Sequence, residues 1–228
     1  HVMTKKGKGY RPAELQPEKY HGVGQFDLAD GRLKAKDGAD FSAVFGDELI
    51  RLASNDARIC AVTAAMSSGT GLLGFAEHFP ERFFDVGIAE EHAVTMAAGM
   101  AAQGLKPVTA IYSTFLQRGY DQLIHDCAID ERRLGCVFAV DRAGIVGADG
   151  ATHNGVFDVA YLRSIPHMNI LAPSSFAELR AMLSKAVYHE TGPTAIRYPR
   201  RAEGTLQENT AAEDWVCLRQ GTGTAIVS

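Results

Sequence analysis

With 228 residues, 46% apolar content and a formal net charge of −4, the chain is sized for one large or two small globular domains, and nothing in its charge calls for a nucleic-acid partner. No apolar run approaches the roughly 20 residues that a membrane-crossing helix needs, so no membrane partner is expected either. The four cysteines, Cys60, Cys127, Cys136 and Cys217, lack CxxC spacing and sit mostly in apolar runs. They read as buried, reduced thiols in a reducing compartment rather than as disulfides or a metal site.

The chain opens on HVMTKKGKGY without an initiator methionine at position 1 and stops at TGTAIVS, where an apolar alternation has only begun. Both ends therefore read as cut, and the chain as an internal piece of a longer protein. Nothing at the start resembles a signal peptide. The basic run Lys5–Lys8 reads as a solvated loop. Residues 1–45 are rich in Gly, Pro, Lys and Asp without a sustained hydrophobic period, and read as a linker. From about residue 50 the pattern changes. ICAVTAAM, FFDV, PVTAIYS, LGCVFAVD, MNILAP and TAIRYP behave as strands, most of them separated by helix-length segments. Repeated βα units predict an α/β domain over residues 46–203, a mostly parallel sheet with helices on both faces. Residues 204–228 read as a second linker and the first strand of a further domain.

Two helices carry clear boundary signals. The segment FFDVGIAEEHAVTMAAGM runs from a strand through Gly87 into Glu90 and Glu91, continues with Ala97, Ala98, Ala101 and Ala102, and reaches Gly104 with Pro107 close behind. Two adjacent carboxylates in a first turn face the positive end of the helix dipole, which accounts for one of them and leaves the other open. In an open α/β sheet the alternative is a carboxylate turned over the carboxyl end of the preceding strand, where such folds bind ligands. The segment SSFAELRAMLSKAVYHE starts with serines and spaces Phe176, Leu179, Leu183 and Val187 along one core-facing side.

The polar residues that follow the strands all fall at one sheet edge. They are Glu90 and His92, then Tyr112, Phe115 and Arg118, then Arg142 with the loop AGIVGADGATHNG bearing Asp149 and His153, and finally Arg200. Each has a plain alternative. Phe115 and Tyr112 suit a core, His153 suits a turn, and Arg118 suits a surface pair with Asp121 or Asp126. The glycines of the loop suggest a phosphate cradle but match neither GxGxxG nor the Walker spacing. Convergence on one crevice is what favours a site.

The blocks DVGIAEEHAVTMAAGMA, IYSTFLQRGYDQLIHD, DRAGIVGADGATHNGVFD and RYPR resemble the central, pyrimidine-binding domain of the 1-deoxy-D-xylulose-5-phosphate synthase family, thiamine diphosphate enzymes of the transketolase superfamily. The opening TKKGKGY resembles the end of that family's first domain. The resemblance implies condensation of pyruvate with glyceraldehyde 3-phosphate with loss of CO2, in a homodimer of the bacterial cytoplasm, with a plastid left open. It implies that Glu90, which follows GIA, hydrogen-bonds the aminopyrimidine N1′ of thiamine diphosphate, that Phe115 stacks on the same ring, and that Glu91 stays in the helix-terminal role. Tyr112, Arg118, Arg142 and Arg200 would line the acceptor site, some of the arginines on the substrate phosphate, with Asp149 and His153 near the reacting carbons. Arg201, where many relatives carry glycine, blurs which guanidinium faces the site. Mg2+ and the diphosphate would be held by the GDG…N signature of a preceding domain, a motif these residues lack; Asp141 and Asp149 do not replace it. The rival readings are another transketolase-like enzyme and a non-catalytic domain that keeps the fold.

Overall fold

Every apolar run expected to form a strand does so in the computed structural model, which describes residues 1–17, 20, 24–32, 38–129 and 131–204. The chain divides into two units, His1–Ala39 and Asp40–Ser228. In the first, the short helix α1 (Arg11–Leu15) starts with a proline in its first turn, where a missing N–H costs nothing. Lys5 Nζ and Gly9 N donate to the Glu14 carboxylate, and the rings of Tyr10, Tyr20 and Phe26 meet with centroids 5.5–5.7 Å apart. A segment read from composition as a plain linker therefore holds a small aromatic cluster.

The second unit is built on β1 (Ile59–Thr63), β2 (Phe83–Asp85), β3 (Lys106–Tyr112), β4 (Val137–Asp141), β5 (Asn169–Leu171) and β6 (Thr194–Arg197). They form one sheet in the order β2-β1-β3-β4-β6-β5, and every pairing is parallel. Strands β1 and β4 are buried along their whole length, as a sheet covered on both faces requires.

One face is covered by α2 (Phe41–Ala53), α3 (Leu73–His78) and α8 (Phe176–Tyr188), which pack Phe45, Leu49, Phe75, Leu179 and Leu183 against Ile59, Val108 and Ile196 of the strands. The other face holds α4 (Glu90–Ala102) and a broken helical segment. That segment runs through α5 (Ser113–Leu116), a 3-10 turn, α6 (Tyr120–Gln122) and a π-helical turn, Leu123–Ala128. α7 (Asp158–Leu162) completes the layer.

Local chemistry fixes the boundaries that the sequence suggested. Ser175 Oγ accepts from Glu178 N at 3.1 Å and Glu178 Oε2 accepts from Ser174 N at 2.6 Å, closing the first turn of α8. After α4, Gly104 takes φ +84°, a left-handed stop that a side chain would resist. Helix α2 was not anticipated, although Asp40 caps it by accepting from Ala43 N at 2.9 Å. Its interior glycine hides the pattern: a Cβ on Gly46 would lie 2.1 Å from Gly71 O, so close packing on the loop after β1 demands glycine there.

Cys60, Cys127 and Cys136 are buried free thiols, whereas Cys217 and the strand expected within 204–228 lie outside the described residues. Among the described residues no helix is long and apolar enough to cross a membrane.

Candidate active site

The chain leaves β1 toward β2 on one side and leaves β3 toward β4 on the other. A crevice at the carboxyl ends of β1 and β3 follows from that divergence, and it is where parallel α/β sheets bind ligands. Tyr112 ends β3 directly opposite Asp141, which ends β4. From the β1 side the loop Ser67–Leu72 presses in so closely that a Cβ on Gly69 would fall 1.7 Å from Tyr112 Oη.

The two glutamates of α4 part company. Glu90 is 2% exposed, whereas Glu91 and His92 lie open on the helix surface. Arg118 Nη1 donates to Glu90 Oε1 at 2.7 Å, pairing the buried carboxylate with a guanidinium instead of with water. This replaces the surface pair with Asp121 or Asp126 that the sequence allowed. Glu90 Oε2 accepts no hydrogen bond from any described residue, so one carboxylate oxygen is fixed and the other is available. The same guanidinium stands 5.1 Å from the centre of the Phe115 ring.

The aromatic residues are neither core nor isolated. Phe115 and Tyr112 are half-buried and stacked at 5.8 Å and 19°, and His153 meets the Phe115 ring edge-on at 5.3 Å. His153 Nδ1 lies 2.9 Å from Thr152 Oγ1. A carboxylate with a spare oxygen, a flat aromatic face and an imidazole therefore share one wall.

A second wall is made of alternating charges. Arg142 has φ +59°, a left-handed backbone that costs a residue other than glycine on the order of 1–3 kcal/mol. Its side chain is only 6% exposed, 3.9 Å above the Tyr112 ring, with Nη1 donating to Gly69 O. Asp141 is fully buried, and burial pushes its carboxyl up to about 6 despite the opposing pull of Arg142 and of the hydrogen bond from Ser42. Asp149 Oδ1 accepts from Arg200 Nη1, while Asp149 Oδ2 has no hydrogen-bond partner and lies 3.6 Å from the equally unpartnered Nε of Arg142. Arg200 is thus the guanidinium that faces this wall; Arg201 is exposed, its carbonyl accepting from Phe41 N.

The glycine loop is tied down by its own hydrogen bonds. Gly144 N and Gly155 N each donate to the other's carbonyl at 2.8 Å, Val146 N donates to Asn154 Oδ1 and His153 N donates to Gly150 O, so these amides are already committed. The loop acts as a bracket that aims Asp149 and His153. Gly155 is essential to it, since a Cβ there would lie 2.3 Å from Arg142 O. Among the described residues no group of three or more His, Cys, Asp or Glu side chains could hold a metal ion.

Eight of the nine strand-end residues therefore gather at one edge, Glu90, Arg118, Phe115 and His153 on one wall, Arg142, Asp149 and Arg200 on the other, with Tyr112 touching both, and only His92 stays outside. Reading by strand ends missed Asp141, Ser42 and Gly69. Asp141 was legible only as the last residue of a strand, and Ser42 and Gly69 lie in elements whose packing gives no local sequence signal.

A parallel sheet with this edge defines a class, and residues 37–204 match the family described as "Transketolase, pyrimidine binding domain"; the chain belongs to it. It is 60% identical over 204 residues to 1-deoxy-D-xylulose-5-phosphate synthase 1 of Geobacter sulfurreducens, covering 89% of this chain and 32% of that protein. It is 58% identical over 221 residues to the Desulforudis audaxviator 1-deoxy-D-xylulose-5-phosphate synthase, 97% and 34% covered, and 52% identical over 235 residues to that of Halalkalibacterium halodurans, 100% and 37% covered. The resemblance read from the motifs is borne out, and the chain spans about a third of the length of these relatives. Among solved structures, a split-gene transketolase described as an inactive beta4 tetramer superposes with TM-score 0.65 at 28% identity, over 78% of this chain and 57% of that one. A Pichia stipitis transketolase shares the fold, with TM-score 0.63 at 15% identity over 78% of this chain and 28% of that one.

Proposed function

We propose that this chain is the aminopyrimidine-binding domain of an enzyme that joins pyruvate to glyceraldehyde 3-phosphate, releasing CO2 and forming 1-deoxy-D-xylulose 5-phosphate. The observation that carries the reading is the buried Glu90 at the start of α4, with Oε1 held by Arg118 and Oε2 available. That oxygen suits the ring nitrogen N1′ of an aminopyrimidine, and the half-buried Phe115 beside it suits the ring face. Thiamine diphosphate supplies, when bound, the carbon acid whose carbanion does the chemistry.

The remaining roles belong to this chain's own side chains. Glu90 would hold N1′ of the aminopyrimidine through Oε2 and so orient the ring for the proton transfers that the cofactor supplies. Arg118, first expected among the acceptor contacts, holds the Glu90 carboxylate in place through Oε1 and closes the edge of the Phe115 ring. His153, above Phe115, carries protons to and from the reacting carbons. Arg142 and Arg200 read the acceptor's phosphate, for which planar guanidinium groups are suited, and Asp149 bridges the two arginines. Tyr112 supports Arg142 from below.

Mg2+ and the diphosphate are assigned to a preceding domain of a longer polypeptide, of which residues 1–45 are the end and linker. Residues 204–228 are assigned to the linker and first strand of a following domain. The exposed Ile88 and Ile145 lie beside the two walls, at 83% and 86% exposure, and suit cover by that preceding domain. A homodimer and a bacterial cytoplasmic location complete the reading. The charged walls oppose a non-catalytic remnant, because buried ion pairs contribute little to stability for the cost of desolvating them.

The chain by itself holds half a cofactor site. Stacking and a few hydrogen bonds must offset the entropy of immobilising the ligand, so titration calorimetry with thiamine diphosphate and Mg2+ should show nothing tighter than roughly millimolar, about −4 kcal/mol. Micromolar binding to the isolated chain would mean that it contains a diphosphate site, contrary to the proposal.

A further inference from the structure

Asp141 is a fully buried carboxylate to which the proposed chemistry gives no task. Both its oxygens are nevertheless committed. Oδ1 accepts from Arg142 N at 2.7 Å and lies 3.1 Å from Arg142 Nη1, while Oδ2 accepts from Ser42 Oγ at 2.7 Å. We propose that Asp141 is the positioning residue of Arg142, and that Ser42 extends its control to the first turn of α2, so that the seating of α2 sets how the acceptor's phosphate is read. This rests on the acceptor-site role given to Arg142 above.

The geometry supports the assignment in three ways. First, Arg142 must hold a left-handed backbone, and Asp141 grips both the backbone N–H and the guanidinium of that one residue. A neutral acceptor could serve the N–H alone; only a carboxylate also balances the guanidinium. Second, the ionised carboxyl is held at a cost to the fold, since burial is the largest influence on it. Third, the grip leaves Arg142 Nε buried without a hydrogen bond, facing Asp149 at 3.6 Å, so one donor remains to be satisfied at the wall where the phosphate is assigned.

Helix α2 meets both arginine-bearing segments within one turn. Ser42 bonds to Asp141, and the neighbouring Phe41 N donates to Arg201 O, next to Arg200. The Ser42 carbonyl in turn abuts Gly71, where a Cβ would lie 2.1 Å away, in the same loop that supplies Gly69 O to Arg142. The start of α2 is therefore a common seat for Arg142, for the segment of Arg200 and for the loop after β1.

The test uses the full-length enzyme that carries this chain, with saturating pyruvate and cofactor. It compares kcat and KM for glyceraldehyde 3-phosphate with those for unphosphorylated glyceraldehyde. Asp141→Asn should lower the preference for the phosphorylated aldehyde by roughly 10- to 100-fold, chiefly through its KM, with the KM for pyruvate unmoved. Ser42→Ala should shift the same ratio by about three- to tenfold, and Ser42→Thr, which keeps the hydroxyl, should restore it. An equal loss on both aldehydes in Asp141→Asn and Ser42→Ala would make these residues merely structural and overturn the proposal. Should Asp141→Asn fail to fold, the Ser42 pair decides by the same ratio. Arg142→Ala is the reference: a ratio unchanged there defeats its acceptor role and this inference with it, whereas a ratio lost there and kept in the other variants defeats the inference alone.

Discussion

In the full-length enzyme, Glu90→Gln should slow exchange of the cofactor's thiazolium proton by about 10²- to 10⁴-fold, the range expected for removing a group that controls a proton transfer, while Glu91→Ala should leave it nearly unchanged. The contrast is large because the two neighbours occupy opposite environments. Glu90 is buried and paired with Arg118, and its second oxygen accepts nothing from the described residues; Glu91 is exposed in the first turn of α4. Glutamine keeps the shape of Glu90 and removes the charge, so a fall in exchange with the unfolding midpoint preserved would report chemistry rather than collapse. Equal losses in the two variants, or the reverse order, would defeat the assignment. Hydrogen–deuterium exchange at the thiazolium carbon, quenched and read by NMR with cofactor saturating, makes the comparison.

Arg200→Ala should cost one to two decades in kcat/KM for glyceraldehyde 3-phosphate, roughly 1.5–3 kcal/mol for a lost charge-assisted contact, and much less for unphosphorylated glyceraldehyde. Arg142→Ala should show the same selectivity loss with an additional fall in stability. Arg200 is partly exposed and leaves Asp149 able to reach water, whereas Arg142 is buried against Asp141, and its removal strands a buried carboxylate at a cost of about 3–5 kcal/mol. Steady-state kinetics with both aldehydes, together with thermal unfolding of each variant, separates the two effects. If both aldehydes suffered equally in both variants, the arginines would be structural.

The six strands and the edge at which the site gathers were legible because they depend on local pattern. Apolar runs such as VFAVD could only be covered on both faces, and parallel strands put Glu90, Tyr112, Arg142 and Arg200 on one side by topology alone. What pairs with what was not legible. Arg118 had acidic neighbours three and eight residues away at Asp121 and Asp126, yet it reaches back to Glu90 on another element, a contact fixed by the close approach of Gly119 to Val94 on α4. The loop glycines looked like donors for an anion, but the amides of Gly144 and Gly155 close on each other, which only three-dimensional bookkeeping of each N–H reveals. Helix α2 escaped because Gly46, required by the backbone of Gly71, interrupts a segment already rich in glycine and aspartate. With α2 unseen, Ser42 and its link to Asp141 had no place in the reading.

The most direct test of the assigned reaction is to supply the full-length enzyme with thiamine diphosphate, Mg2+ and pyruvate, and to follow CO2 release before and after glyceraldehyde 3-phosphate is added. Release should accelerate on addition of the aldehyde, with one five-carbon 1-deoxy ketose phosphate formed per CO2. Absence of CO2 release from pyruvate, together with transfer of a two-carbon unit from a ketose phosphate such as xylulose 5-phosphate to the same aldehyde, would place the chain in a transketolase-like enzyme and contradict the assignment.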